Sequence, residues 1–310
     1  MPTTTTTPTP LHYALLPSSG APRGRVALLH GLLVGNLAAW YLSAAPALAA
    51  AGYEVLMFDL RGHGRSPRPA DGYDLPTLAE DLAGLLEEVG WGAGRVALAG
   101  HSYGALVALE WALRHPSRAA AVVALDPPLR PHDLAALRLA PSPEGPPAAP
   151  PAAPPAAPPA ASPEELLALL PAPLSAALSS SLSSSLSSSL SSSTQAPSVT
   201  SGRRLRRALE GWRALLADTT LLADLARPTP LTAARLAALP CPLTVLYGER
   251  SPCRPAPGEE SALRAAPRHA ERLVAGAGHY LLNESPGEVT AQLLAALSAA
   301  EGGGAPDAQG

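Results

Sequence analysis

Gly100-His101-Ser102-Tyr103-Gly104 stands between Arg95-Val96-Ala97-Leu98-Ala99, an apolar run of strand character, and a helical stretch from Ala105 to Arg114 that His115-Pro116 closes. A serine flanked by glycines at a strand-to-helix turn is what a nucleophile elbow needs. The turn is strained, a Cβ on either flank would clash, and the hydroxyl is lifted clear of the sheet edge. The N-terminus of the following helix adds partial positive charge where an oxyanion would develop. A glycine-rich turn serving packing alone is the competing reading, and the flanking strand and helix weigh against it.

The same rhythm runs outward from this point. Arg25–His30, Tyr53–Phe58 and Ala121–Leu125 are further short apolar runs, and Leu243–Tyr247 and Glu271–Val274 follow near the C-terminus. Between them Ala44–Ala51 reads as a helix ended by Gly52. Thr77–Val89 carries Leu78, Leu82, Leu85, Leu86 and Val89 at helical spacing. Glu259–Ala266 and Pro286–Ala299 are the last two helical stretches. Strands that are apolar almost throughout, alternating with helices, predict an α/β fold: a mostly parallel sheet with helices on both faces.

The middle of the chain breaks the rhythm. Pro141–Pro159 repeats Pro-Pro-Ala-Ala and reads as an extended tract, and Ser175–Ser193 repeats Leu-Ser-Ser-Ser, a low-complexity segment with little helix propensity. Glu164–Leu170, Arg203–Asp218, Thr220–Ala226 and Thr232–Leu239 read as helices, with Leu205, Leu209, Trp212 and Leu216 on one face of the second. The predicted organisation is a disordered tail over residues 1–10, a discontinuous core over 11–126 and 240–300, an inserted helical cap over 127–239, and a flexible tail over 301–310.

Composition narrows the function classes. The chain has 310 residues, 47% of them apolar, which excludes a wholly disordered protein. Its 22 basic residues are all Arg, and the net charge of −3 argues against a nucleic-acid partner. Cys241 and Cys253 are too few for a disulfide scaffold and lack metal-ligand spacing, so no metal is implied. No uninterrupted apolar run reads as a membrane span, and Met1–Pro10 lacks the regions of a signal peptide. The expected setting is cytoplasmic.

Three further segments make the chain resemble the alpha/beta-hydrolase fold family. His30-Gly31-Leu32-Leu33-Val34-Gly35 follows a strand, as does Asp59-Leu-Arg-Gly-His-Gly-Arg-Ser66, and Gly276-Ala-Gly-His279 follows the last. The resemblance implies that Ser102 is the nucleophile and His279 the base, and that the backbone N–H groups of Leu32 and Tyr103 form an oxyanion hole. It implies a bracing role for the Asp59–Ser66 turn, and no cofactor.

The third member of the triad departs from the family pattern. The loop after Leu243–Tyr247, where most members carry the acid, reads Gly248-Glu-Arg-Ser-Pro-Cys253 and holds Ser251 at the acid position. Asp126, closing the preceding strand, is the favoured substitute. Glu249, two residues early, is the second candidate, and a site without an acid is the third.

Seven other histidines compete for roles. His30 belongs to the oxyanion loop. His63 and His101 lie in turns near the site, where contact with substrate is a minor reading. His115 sits near a helix C-terminus, which favours a cation, and His12, His132 and His269 read as surface residues. Trp40-Tyr41 suits either an acyl pocket or the core, Arg203–Arg207 reads as a solvated basic face, and nothing flanking Cys253 marks it as reactive.

The expected function is hydrolysis of an ester of a small or medium apolar carboxylic acid through an acyl-enzyme on Ser102. A serine nucleophile disfavours the epoxide hydrolase and haloalkane dehalogenase routes, which use Asp. A thioesterase, amidase, C–C-bond hydrolase or cofactor-free haloperoxidase-like enzyme remains open, since fold does not dictate reaction. The rival of another class is a non-hydrolytic small-molecule binder.

Overall fold

The computed structural model describes residues 9–32, 35–129, 211–212, 214–259 and 261–302. The two low-complexity tracts, the Glu164–Leu170 helix, the Arg203–Arg207 cluster and His132 lie outside the described residues, as do most of the two tails.

Among the described residues seven strands form one sheet in the order β1-β3-β2-β4-β5-β6-β7. They are β1 (Tyr13–Leu16), β2 (Gly24–Leu29), β3 (Tyr53–Phe58), β4 (Val96–His101), β5 (Ala119–Leu125), β6 (Leu243–Gly248) and β7 (His269–Val274). Only β1 is antiparallel, paired with β3 from Tyr13 opposite Phe58; every other pairing is parallel. The expected strands therefore form one parallel sheet, and β1 adds an antiparallel edge not read from the sequence.

The unbroken apolar runs reflect burial on both faces. Val26 and Leu28 of β2 face Leu48 of helix α2 (Ala45–Ala50) and Leu293 of the C-terminal helix, Pro286–Gly302. Their neighbours Ala27 and Leu29 belong to the opposite core, with Leu82 of α3 (Leu75–Glu88) and Trp111 of α4 (Tyr103–Arg114). The period-two alternation of a strand thus divides one apolar sequence between two cores.

Several boundaries differ from expectation for local reasons. Helix α3 starts earlier because Asp74 accepts the N–H of Thr77 at 3.0 Å and Pro76 suits the first turn. Glu259–Ala266 does not form a helix; only a 3₁₀ turn over Ala262–Ala265 forms, and Ala266, before Pro267, is extended at ψ 131. Helix α1 (Leu37–Tyr41) follows the oxyanion-type loop, with Trp40 wholly in the core and Tyr41 exposed.

Thr9 and Glu301, within the two expected tails, are held to the core. The main-chain N–H of Thr9 reaches Asp81 Oδ1 at 3.1 Å, and Glu301 accepts from Arg23 and from the Tyr53 hydroxyl. Residues after position 213 also dock on the same core. Leu215, with Leu221 and Leu225 of the following helix α5 (Leu221–Leu225) and Leu236 of α6 (Ala233–Leu236), is buried there, and Asp224 Oδ2 accepts the N–H of Tyr73 at 3.0 Å. Among the described residues no helix is long and apolar enough to cross a membrane.

Candidate active site

Ser102 sits between β4 and α4 with φ 54 and ψ −125, a backbone conformation unusual for a residue with a Cβ. The glycines permit it. A Cβ on Gly100 would strike the backbone of Gly104 and Ala105, and one on Gly104 would strike the carbonyls of Leu29 and His30. The turn is anchored by the Ser102 N–H donating to Leu125 O at 2.8 Å and by Ala105 N–H donating to Ser102 O at 2.9 Å. The side chain is 3% exposed.

Around the hydroxyl, residues far apart in sequence meet. His279 Nε2 lies 3.0 Å from Ser102 Oγ, and His279 Nδ1 lies 2.6 Å from Asp126 Oδ2. Asp126 closes β5 in the left-handed region at φ 49 and is fully buried. Its Oδ1 accepts the N–H of Gly248 at 3.0 Å, and its Oδ2 also accepts the hydroxyl of Ser251. Glu249, the other candidate acid, is exposed and accepts the N–H of Gly276 at 2.7 Å. Of the two carboxylates, Asp126 is therefore the one at His279.

The loop after β2 approaches the serine at Gly31, where an added Cβ would lie 3.0 Å from Ser102 Cβ. Tyr103 is the first residue of α4, so its N–H has no partner one turn back in the helix. Burial pushes the Tyr103 phenol up, and its hydroxyl donates to Tyr73 O at 3.3 Å, directing the ring away from proton chemistry.

The neighbouring histidines are structural braces. His30 donates from Nδ1 to Gly31 O at 2.7 Å and accepts the Leu60 N–H at Nε2, 2.9 Å. Burial pushes it down to about 4, so the ring is neutral. His63 donates from Nδ1 to Arg61 O at 2.9 Å, and burial together with His30 pushes it down to about 3. His101 donates from Nε2 to the main-chain oxygen of His279 at 2.7 Å and is pushed down to about 4 by burial and by His279. None of these contacts was read from the sequence: Gly31 O and Arg61 O belong to the ring's own turn, while Leu60 N–H and His279 O come from distant segments.

Other expectations change. His115 is not the cation that a helix C-terminus favours: it packs on Trp111 with centroids 4.8 Å apart, and burial lowers its pKa. His12 is half-buried, with Nδ1 2.8 Å from Asp59 Oδ2, and His269 is half-buried as well. Asp59 also accepts the N–H groups of Leu37 and Arg65, and Ser66 Oγ donates to Asp59 O at 2.6 Å. This turn ties the N-terminal segment, the loop after β2 and the loop after β3 together. Cys253 Sγ lies 3.7 Å from His279 Nδ1. A separate cavity, lined by Arg23, Tyr53, Arg95 and Glu301, lies at the opposite, N-terminal ends of the parallel strands.

A family model described as the alpha/beta hydrolase fold matches residues 24–286. The chain belongs to that family.

Other similarities bear on the alpha/beta-hydrolase chain in shorter stretches. It is 44% identical over 116 residues to epoxide hydrolase A of Mycobacterium tuberculosis, covering 36% of this chain and 35% of that protein. It is 38% identical over 115 residues to the RutD protein of Variovorax paradoxus, provisionally named a carbamate hydrolase, covering 37% and 41%. The chain thus spans less than half the length of these curated relatives. A thermophilic esterase from Thermogutta terrifontis superposes with a TM-score of 0.59 at 22% identity over 94% of each chain, a likeness of fold.

Proposed function

We propose that this protein is a serine hydrolase acting on carboxylic esters. The observation that carries the reading is the continuous path from Asp126 Oδ2 through His279 Nδ1 and Nε2 to Ser102 Oγ, at 2.6 and 3.0 Å. A serine hydroxyl alone is a weak nucleophile. Here His279 Nε2 takes the Oγ proton as Oγ adds to the ester carbonyl, and Asp126 holds the Nδ1–H tautomer and stabilises the imidazolium. The backbone N–H groups of Leu32 and Tyr103 receive the developing oxyanion. His279 then returns its proton to the departing alkoxide, leaving an acyl-Ser102 ester. Water, deprotonated by the same imidazole, cleaves that ester and restores the enzyme.

Relatives named epoxide hydrolases do not transfer their reaction to this site. A carboxylate that opens an epoxide forms an ester, which water can cleave at its carbonyl. Ser102 Oγ opening an epoxide would form an ether with no carbonyl to attack, and turnover would stop at one event. Acyl transfer is the chemistry for which a serine intermediate is reversible. Residues 127–239 are proposed as the cap over this site, and an ester of a small or medium apolar acid as the substrate class.

Fluorophosphonate labelling tests the reading. The wild-type protein is expected to label covalently, and Ser102→Ala is expected not to. Esters of increasing acyl length, with thioesters and amides alongside, then define the bond cleaved. Folded wild-type protein that fails to label would overturn the hydrolase reading and favour the small-molecule binder.

A further inference from the structure

Ser251 occupies the position from which most members of the family present their acid, and its side chain is buried beside the acid that acts from elsewhere. The Ser251 hydroxyl donates to Asp126 Oδ2, the same oxygen that faces His279 Nδ1 at 2.6 Å. The main-chain N–H of Cys253 donates to Ser251 Oγ at 3.1 Å. That bond engages the lone-pair side of Oγ and turns its proton toward the carboxylate. Gly248, from the same loop, donates to Oδ1 at 3.0 Å. A fully buried carboxylate needs such donors to remain ionised, and here one loop supplies both apart from His279.

We propose that Ser251 is a positioning residue for this reaction, acting through Asp126: from the vacated seat of the acid, its hydroxyl shares the charge of Asp126 Oδ2 with the His279 Nδ1–H. The proposal rests on the acyl-transfer reading of Ser102 and His279. Two donors on one oxygen divide its charge. Removing Ser251 leaves more of that charge on the His279 Nδ1–H, so the imidazolium is held more tightly.

The test is the pH dependence of fluorophosphonate labelling in Ser251→Ala and Ser251→Thr. The alanine variant is expected to move the acid limb of the rate upward by about half to one pH unit, since that limb reports protonation of the base. Labelling then falls several-fold on the acid limb and stays within about twofold on the plateau. Threonine, which keeps the hydroxyl, is expected to restore the wild-type profile. A uniform fall at every pH, an unchanged profile, or a folded threonine variant behaving as alanine does would each overturn the proposal.

Should Ser251→Ala not fold, the seat itself is tested by Asp126→Gly against Asp126→Gly with Ser251→Asp. Glycine accepts φ 49 and leaves room, so a carboxylate at position 251 is expected to raise labelling about tenfold or more over the single variant. Equal rates overturn the proposal. If the wild-type protein does not label at all, the acyl-transfer reading fails on its own. The proton NMR resonance of His279 Nδ1–H then reads Ser251 independently: a displaced resonance in Ser251→Ala supports the contact, and an unmoved one overturns it.

Discussion

The His101 ring donates its Nε2–H to the main-chain carbonyl of His279 at 2.7 Å, and the two rings lie 5.0 Å apart. The residue before Ser102, the proposed nucleophile, thus holds the backbone of the residue proposed to activate it. His101→Ala is expected to slow labelling of Ser102 by about ten- to a hundredfold, since misplacement of about 1 Å costs that much. His101→Gln, which keeps a donor, should recover much of the rate. Labelling kinetics beside a thermal melt check this, and an unchanged alanine variant would remove the link.

Acid stability follows from the three buried rings. His30 and His101 are pushed down to about 4 and His63 to about 3, all below the ordinary 6.5. The unfolded chain therefore binds protons that the folded chain refuses in this window. Their stabilising contribution is complete above about pH 6.5 and declines as pH falls toward 4, by about 1.4 kcal/mol per pH unit for each ring. Urea midpoints should drop between pH 7.5 and pH 5, and His63→Gln should flatten the drop. A midpoint equal at both pH values would count against this account.

Arg61 is 1% exposed and clasps Asp81 with two hydrogen bonds, at 2.6 and 2.7 Å. Breaking a buried pair by neutralising one partner leaves a charge without compensation. Asp81→Asn is expected to lose about 3–5 kcal/mol in denaturant unfolding. The double change Arg61→Met with Asp81→Leu should recover most of it, and failure of that recovery would point to the other bonds these side chains make.

Strain at the elbow is measurable. Ser102 holds φ 54 only because its surroundings impose it. Ser102→Gly should raise unfolding stability by about 1 kcal/mol, the relieved backbone strain less the added entropy of the unfolded glycine. The same variant should not label. A less stable glycine variant would show that the side-chain bond to His279 outweighs the strain.

Much of this protein was legible in its residues because the relevant information is local. Apolar runs without alternation report burial on two faces, and Gly100 and Gly104 report where a Cβ cannot fit. Those features located the sheet, the elbow and the loop of His279 to within a few residues. The edge strand β1 was not legible: Tyr13–Leu16 is four residues long, and its strand character depends on pairing with β3. The acid was legible only as a preference for Asp126, which closes its strand, over Glu249. Asp126 and Glu249 both stand at the C-terminal ends of neighbouring strands, and composition treats them alike. Only the tertiary structure decided which one meets His279. A left-handed backbone at Asp126 turns one carboxylate inward, while the N–H of Gly276 draws the other outward. A hydrogen bond between residues 153 apart depends on how two strand ends converge, and periodicity along the chain does not encode that angle.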